Sequence, residues 1–267
     1  MFKMKVAVVI PFRAVSHLPA PSASHCIHLL NVTLASILRS DYEAMQIYLM
    51  SSGDIRLACP NARVQVLDTW SFDPTGRESS GYQDMQNKRF VGAKTAIEEG
   101  AQSVLFLDAD DLVNKVVFTY LASGAPDVSW LATCGWEYLH RFGRMYYRKR
   151  HFDARCGSCS VISRASLLKD FRLQEKDTLP DVFWHHHITS VLTGNAQKFP
   201  FPAFVYRTDH GENITLGLRS IFREKIGAIV PYFVRYAAKL FLSESFSKDH
   251  EMQFGCPRTA ETLIEGQ

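Results

Sequence analysis

Much that a chain of 267 residues can carry is missing from this one. No uninterrupted apolar run approaches the roughly 18 to 20 residues that cross a bilayer. No dense basic stripe or nucleic-acid reading module accompanies the net charge of +3, so nucleic acid is not an expected partner. No internal repeat is visible. The opening MFKMKVAVVIPF runs from two lysines into a short β-branched stretch, without the longer apolar region and cleavage site of a signal peptide, and reads as a first strand. The six cysteines (Cys26, Cys59, Cys134, Cys156, Cys159 and Cys256) are scattered rather than arranged as a disulfide framework, so reduced thiols in a cytoplasmic protein are expected.

What is present is an ordinary globular composition, 46% hydrophobic and 21% charged, long enough to bury a full core in one catalytic unit. Residues 5–10 and 46–50 are short branched apolar runs, and the stretch between them carries Leu30, Leu34, Ile37 and Leu38 at helical spacing. A third run follows at 62–68, then a polar loop at 72–82. A helical pattern over 83–100 ends at Gly100 and leads straight into SVLFLDADD. Strands alternating with helices predict an α/β fold with a mostly parallel sheet, whose ligands bind at the carboxyl ends of the strands. The second half reads as a hairpin of VSWLATCGWEYLH and RMYYRKRHF, a Gly/Cys/Ser turn, a helix near 181–193 and a strand at AFVYR.

The chemistry concentrates at Asp108, Asp110 and Asp111, three carboxylates in four positions directly after buried apolar residues. Their repulsion becomes tolerable around a hard divalent cation, Mg²⁺ or Mn²⁺, which prefers oxygen ligands. In extended chain Asp108 and Asp110 project to one side and Asp111 to the other. A plainer reading also fits, an acidic turn capping the helix that follows around Val116. Lys88 and Arg89 open the helix that feeds this strand; exposed basic residues are the ordinary reading there, contact with a diphosphate or base the functional one. Cys156-Gly-Ser-Cys159 has the spacing of half a zinc site or a redox pair, but no second paired motif accompanies it.

The order VAVVIPFR, then SSGD after the second strand, then NKRFVGAKTAIEEGAQSVLFLDADD resembles the nucleotide-binding half of family 2 glycosyltransferases of the GT-A fold. Asp-Ala-Asp-Asp resembles their DXD motif. TLPDVFWHHHI resembles the segment where that family sets an acidic pair ahead of a short helix, and VYRTDHGENIT resembles its tyrosine-arginine, histidine, asparagine and serine/threonine signature. The likeness spans roughly residues 5 to 215. It departs at MSSGD, where only Asp54 remains of an acid-rich turn that contacts the base, and at Pro180-Asp181, where Asp181 is the one matching acid.

The resemblance implies a GT-A type domain over 1–215, with 1–115 the nucleotide-sugar-binding half and 116–215 the acceptor half, and a C-terminal helical extension and tail over 216–267. It implies metal-dependent transfer of a sugar from a nucleotide-sugar donor, UDP-linked, to a hydroxyl of a carbohydrate or lipid-linked glycan, with inversion, as in polysaccharide biosynthesis. Pro11, Arg13, Asp54, Lys88, Arg89, Asp108 and Asp110 would face the donor. Asp110, Asp108 and His210 would hold Mn²⁺ or Mg²⁺, and Asp181 would be the base. Trp136, Glu137, Trp184 and His185 would line the acceptor pocket, and the Cys156–Cys159 turn would border donor sugar and acceptor. A sugar nucleotidyltransferase is the competing enzyme reading, although PFRAVSHLPAPS lacks the expected glycine-rich phosphate loop. A non-catalytic carbohydrate-binding or scaffold protein of the same fold is the third. From Leu216 to Leu242 basic residues alternate with Ile, Phe, Val and Leu, a pattern of helices packed on the domain or of a peripheral contact at the inner face of a membrane. The polar stretch after Ser247 reads as a loosely ordered end.

Overall fold

The computed structural model describes residues 4–13, 15, 18–52, 55, 57, 61–68, 79–175, 180–208 and 237–255. The first half alternates as the periodicity predicts: β1 (Val6–Pro11), α1 (Ala20–Leu38), β2 (Met45–Ser51), β3 (Val64–Asp68), α2 (Ser79–Glu98) and β4 (Ser103–Phe106). β1 pairs in parallel with β2 on one side and β4 on the other, and β3 adds in parallel beyond β2. Every side chain from Val6 to Ile10 is buried, as expected of a strand covered on both faces. Alternation sends Val6, Val8 and Ile10 against Leu30, Leu34 and Ile37 of α1, and Ala7 and Val9 against Ala93, Ala96 and Ile97 of α2. α2 lies so close to the sheet that a Cβ at Gly92 would stand 2.5 Å from Val9.

Two features differ from the sequence expectation. α2 begins at Ser79, four residues earlier than the apolar spacing indicates, because its first turn is polar. The predicted long strand VSWLATCGWEYLH divides into β6 (Trp130–Leu131) and β7 (Gly135–Leu139), which belong to different sheets. β9 (Ser160–Ser163), unmarked by any pattern, runs antiparallel between β4 and β6, and β10 (Gln197–Lys198) completes a seven-stranded sheet in the order β10-β6-β9-β4-β1-β2-β3. The second sheet contains β5 (Leu112–Val113), β7, β8 (Arg144–Arg148), β11 (Phe204–Thr208) and β12 (Glu244–Ser245), in the order β12-β8-β7-β11-β5. The fold is thus mixed α/β, with a mostly parallel central sheet flanked by helices.

The short helices are α3 (Val117–Ser123), α4 (Arg164–Lys169), α5 (His185–Leu192) and a last one, α6 (Lys248–Phe254). The end expected to be loose is ordered as far as Gly255. Ser247 and His250 form a reciprocal cap on α6, Phe254 is buried against Val32, Leu112 and Val205, and β12 pairs with β8. Residues 209–236, which hold most of the basic and apolar stretch, lie outside the described residues. No described helix is long and apolar enough to cross a membrane.

Candidate functional site

The chain leaves the first sheet at the end of β4 and enters the second at β5, and Asp108–Asp111 is the crossing. The crossing lies beside the carboxyl end of β1, where the chain's path through the sheet reverses direction, the place where open α/β sheets bind ligands. Strand geometry does not persist through the acids. The Asp111 N–H donates to the Asp108 carbonyl at 3.1 Å, closing a turn, so simple alternation does not govern their directions. The register of β9 brings a second crossing alongside. Because β9 runs antiparallel to β4, with Leu105 opposite Val161, the residues just before β9 stand beside those just after β4. Those residues are Cys156–Cys159.

Each acid has a distinct environment. Asp111 is fully buried. Its Oδ2 accepts from the Ser158 hydroxyl at 2.7 Å and from the Cys156 thiol at 3.4 Å, and its Oδ1 accepts from the Arg207 N–H at 3.1 Å. Burial, with repulsion from Asp110 and Asp108 added, holds its carboxyl well above the usual carboxylate range despite these donors. Asp108 keeps 28% of its side chain exposed and accepts from Arg89 Nη2 at 2.7 Å, while its N–H donates to Ser158 Oγ at 2.8 Å. Asp110 is half-buried. None of the three caps α3: Val116 occupies that position without a side-chain bond, and its N–H is met by Asn114 Oδ1. The plainer sequence reading therefore does not describe this turn.

The basic residues are not exposed. Arg89 is fully buried, and besides Asp108 it donates to the Phe183 carbonyl at 3.4 Å and lies over the Phe106 ring. It thereby ties the acid turn to the 3-10 turn Pro180–Phe183 that carries Asp181. Lys88, 1% exposed, donates to Asp84 at 2.6 Å and to the Phe12 carbonyl at 2.7 Å, fastening α2 to the end of β1; burial lowers its pKa, opposed by Asp84. Arg207, on β11, is fully buried as well, and burial lowers its pKa against the opposing charges of Asp110 and Asp111. The sequence reading had the Arg207 segment and the Cys156–Cys159 turn in view, but it assigned neither to the acids.

The other expected residues divide into groups. Pro11 ends β1 half-buried and Arg13 follows it exposed. Asp54 and His210 lie outside the described residues, as does the Asp181 side chain. The N-cap position of α5 is held by Trp184. His185 is half-buried with Nε2 2.6 Å from the Asp153 carbonyl; burial lowers its pKa, and the charges of Arg89 and Asp108 reach it. Trp184 meets Tyr82 edge-on at 4.7 Å. Trp136 instead packs on Tyr147 and His250 and lines a shallow cavity with Asn114, Phe201 and Gln253. Glu137, its neighbour on β7, points to the opposite face, is fully buried, and is bonded by Arg148 and by Lys239 at 2.5 Å. The four acceptor-pocket residues are not gathered into one wall: His185 lies within reach of the Asp108 charge, Trp184 packs on Tyr82, Trp136 on Tyr147 and His250, and Glu137 is closed off by cations.

Among the described residues no group of three or more His, Cys, Asp and Glu is arranged to hold a metal ion. The donor set is nonetheless that of a hard cation's partial shell. Asp110 and Asp108 are half-buried carboxylates, and Mg²⁺ or Mn²⁺ is commonly bound by one or two carboxylates completed by substrate phosphates. Cys156 and Cys159 do not fit that shell, because both are fully buried thiols, soft donors, whereas Mg²⁺ and Mn²⁺ take oxygen; burial also raises both thiols, Cys159 to about 12.

No protein-family model and no curated protein matches the chain. Among solved structures it is similar to S. aureus TarS in complex with UDP-GlcNAc, with 12% identity over 79% of this chain and 61% of that one, at a TM-score of 0.49. It is also similar to the glycosyltransferase GlyE of Streptococcus pneumoniae, with 12% identity over 89% of this chain and 65% of that one, at a TM-score of 0.41. The chain therefore spans about three fifths of the length of these structures.

Proposed function

We propose that the chain is a GT-A type glycosyltransferase that moves a sugar from a UDP-linked donor to a hydroxyl acceptor with inversion. The observation that carries this reading is the acidic turn at the carboxyl end of β4, open at Asp108 and Asp110 and joined through Arg89 to the turn bearing Asp181. Asp110 and Asp108 would hold the divalent cation, whose contribution when bound is Lewis-acid stabilisation of charge on the departing diphosphate. Arg89 holds the Asp108 carboxylate in place through a charge-assisted bond to one of its oxygens. Asp181 would accept the acceptor hydroxyl's proton, and Trp184, next after the turn that carries it, offers with Tyr82 a ring surface for a sugar.

A screen of nucleotide sugars with Mn²⁺, read by nucleotide release, tests the class of reaction. Asp181→Asn should then leave donor affinity nearly unchanged and lower transfer by roughly a hundredfold or more, the scale of losing a general base. Collapse of donor affinity in that variant would move Asp181 to the donor side and remove it as the base.

A further inference from the structure

Ser158 faces the acids but belongs to none of the roles above. Its hydroxyl accepts from the Asp108 N–H at 2.8 Å and donates to Asp111 Oδ2 at 2.7 Å, so one fully buried side-chain oxygen fastens both ends of the acidic turn. Gly157, the residue before it, is pressed against the Asp108 carboxylate: a Cβ there would collide with Asp108 Oδ2 and stand 3.2 Å from Arg89 Nη2. On the far side the Arg207 N–H closes the remaining oxygen of Asp111. Asp111 is thus bonded by protein donors on both oxygens and acts as the anchor, while Asp108 and Asp110 stay partly exposed.

We propose that Ser158 is a positioning residue for the Asp108–Asp110 carboxylates, with Gly157 leaving the room that the Asp108–Arg89 pair requires. The inference rests on the glycosyltransferase reading for its consequence, the affinity of the turn for a divalent cation with a nucleoside diphosphate. The chemistry is that of an outer partner: a ligand carboxylate is held in direction by what bonds its own backbone and its neighbours, and loss of such a partner commonly costs 10- to 100-fold in metal affinity.

A matched control exists in the same sheet. Ser129 Oγ accepts from the Ser163 N–H at 3.0 Å and donates to Ser163 Oγ at 3.3 Å, also buried, away from the acids. Ser158→Ala and Ser129→Ala therefore remove comparable bonds. Mn²⁺ affinity in the presence of UDP, followed by electron paramagnetic resonance, should fall about 10- to 100-fold in Ser158→Ala. It should stay within about threefold of the parent in Ser129→Ala, at similar melting temperatures of the two variants, and Ser158→Thr, which keeps the hydroxyl, should restore most of the loss. Gly157→Ala should lose affinity through displacement of Asp108.

Unchanged Mn²⁺–UDP affinity in Ser158→Ala, or an equal loss in Ser129→Ala, overturns the inference. If the parent protein itself binds neither Mn²⁺ nor UDP, the donor reading fails instead. The inference is then decided by amide hydrogen exchange. Acceleration confined to Asp108–Asp111 in Ser158→Ala supports it, and exchange there equal to the parent's overturns it.

Discussion

The described residues hold two acidic centres built on opposite principles. Glu137, in the second sheet, is one fully buried carboxylate between two partly exposed cations, Arg148 and Lys239. The turn after β4 holds three carboxylates, of which one is fully enclosed and two remain partly exposed, with Arg89 and Arg207 buried behind them. The first centre fastens a sheet to the C-terminal segment. The second leaves two carboxylates partly exposed and supports the turn from within. Burial of an acid is therefore a poor guide to a site; carboxylates left open above a satisfied anchor are a better one.

That contrast is broken most directly at Asp110. Asp110→Asn should reduce Mn²⁺-dependent nucleotide release on the order of a thousandfold, the scale of removing a charge stabiliser from a transition state. Its urea midpoint should hardly move, because Asp110 is half-buried at a turn. Near-normal release with the metal still required would remove Asp110 from the site.

Glu137→Gln should give the inverse result. Removing one partner of a buried ion pair costs about 3 to 5 kcal/mol, but Arg148 and Lys239 are 19% and 24% exposed and water relieves part of their loss, so about 2 to 3 kcal/mol is expected. Urea denaturation measures it. Mn²⁺–UDP affinity should be retained, and its loss at native stability would make Glu137 part of the donor site.

The smallest effect concerns pH. A carboxyl whose folded pKa is raised binds its proton more tightly in the native state than in the unfolded chain. The stability it contributes is full below the unfolded value near 3.8 and is lost as pH rises through the folded value. Asp111→Asn carries no such proton. Relative to the variant, the parent protein should lose stability as pH rises above about 4, and a difference independent of pH would contradict a raised carboxyl pKa at Asp111.

How much of this was legible depends on distance along the chain. Val6 to Ile10, Leu30 to Leu38 and Val104 to Leu107 announce their elements because apolar periodicity is a local property, and the β1–α1–β2–β3–α2–β4 order follows from it. The concentration of charge at Asp108, Asp110 and Asp111 was equally plain, since acids directly after a buried strand are unusual wherever the chain goes next. Lys88 and Arg89 show the limit. On a helix start they look like solvated cations, and only the approach of Asp84, Phe12, Asp108 and Phe183 makes burial of both tolerable.

The sequence by itself therefore determined the parallel sheet and the position of the acids along it. Tertiary structure alone decided which acid is the anchor, which two are open, that Cys156–Cys159 wraps them, and that Trp136 and Trp184 have separate surroundings. The physical reason is pairing between remote segments. β9 is four residues long with no diagnostic alternation, and its antiparallel place beside β4 depends on contacts that no local pattern encodes.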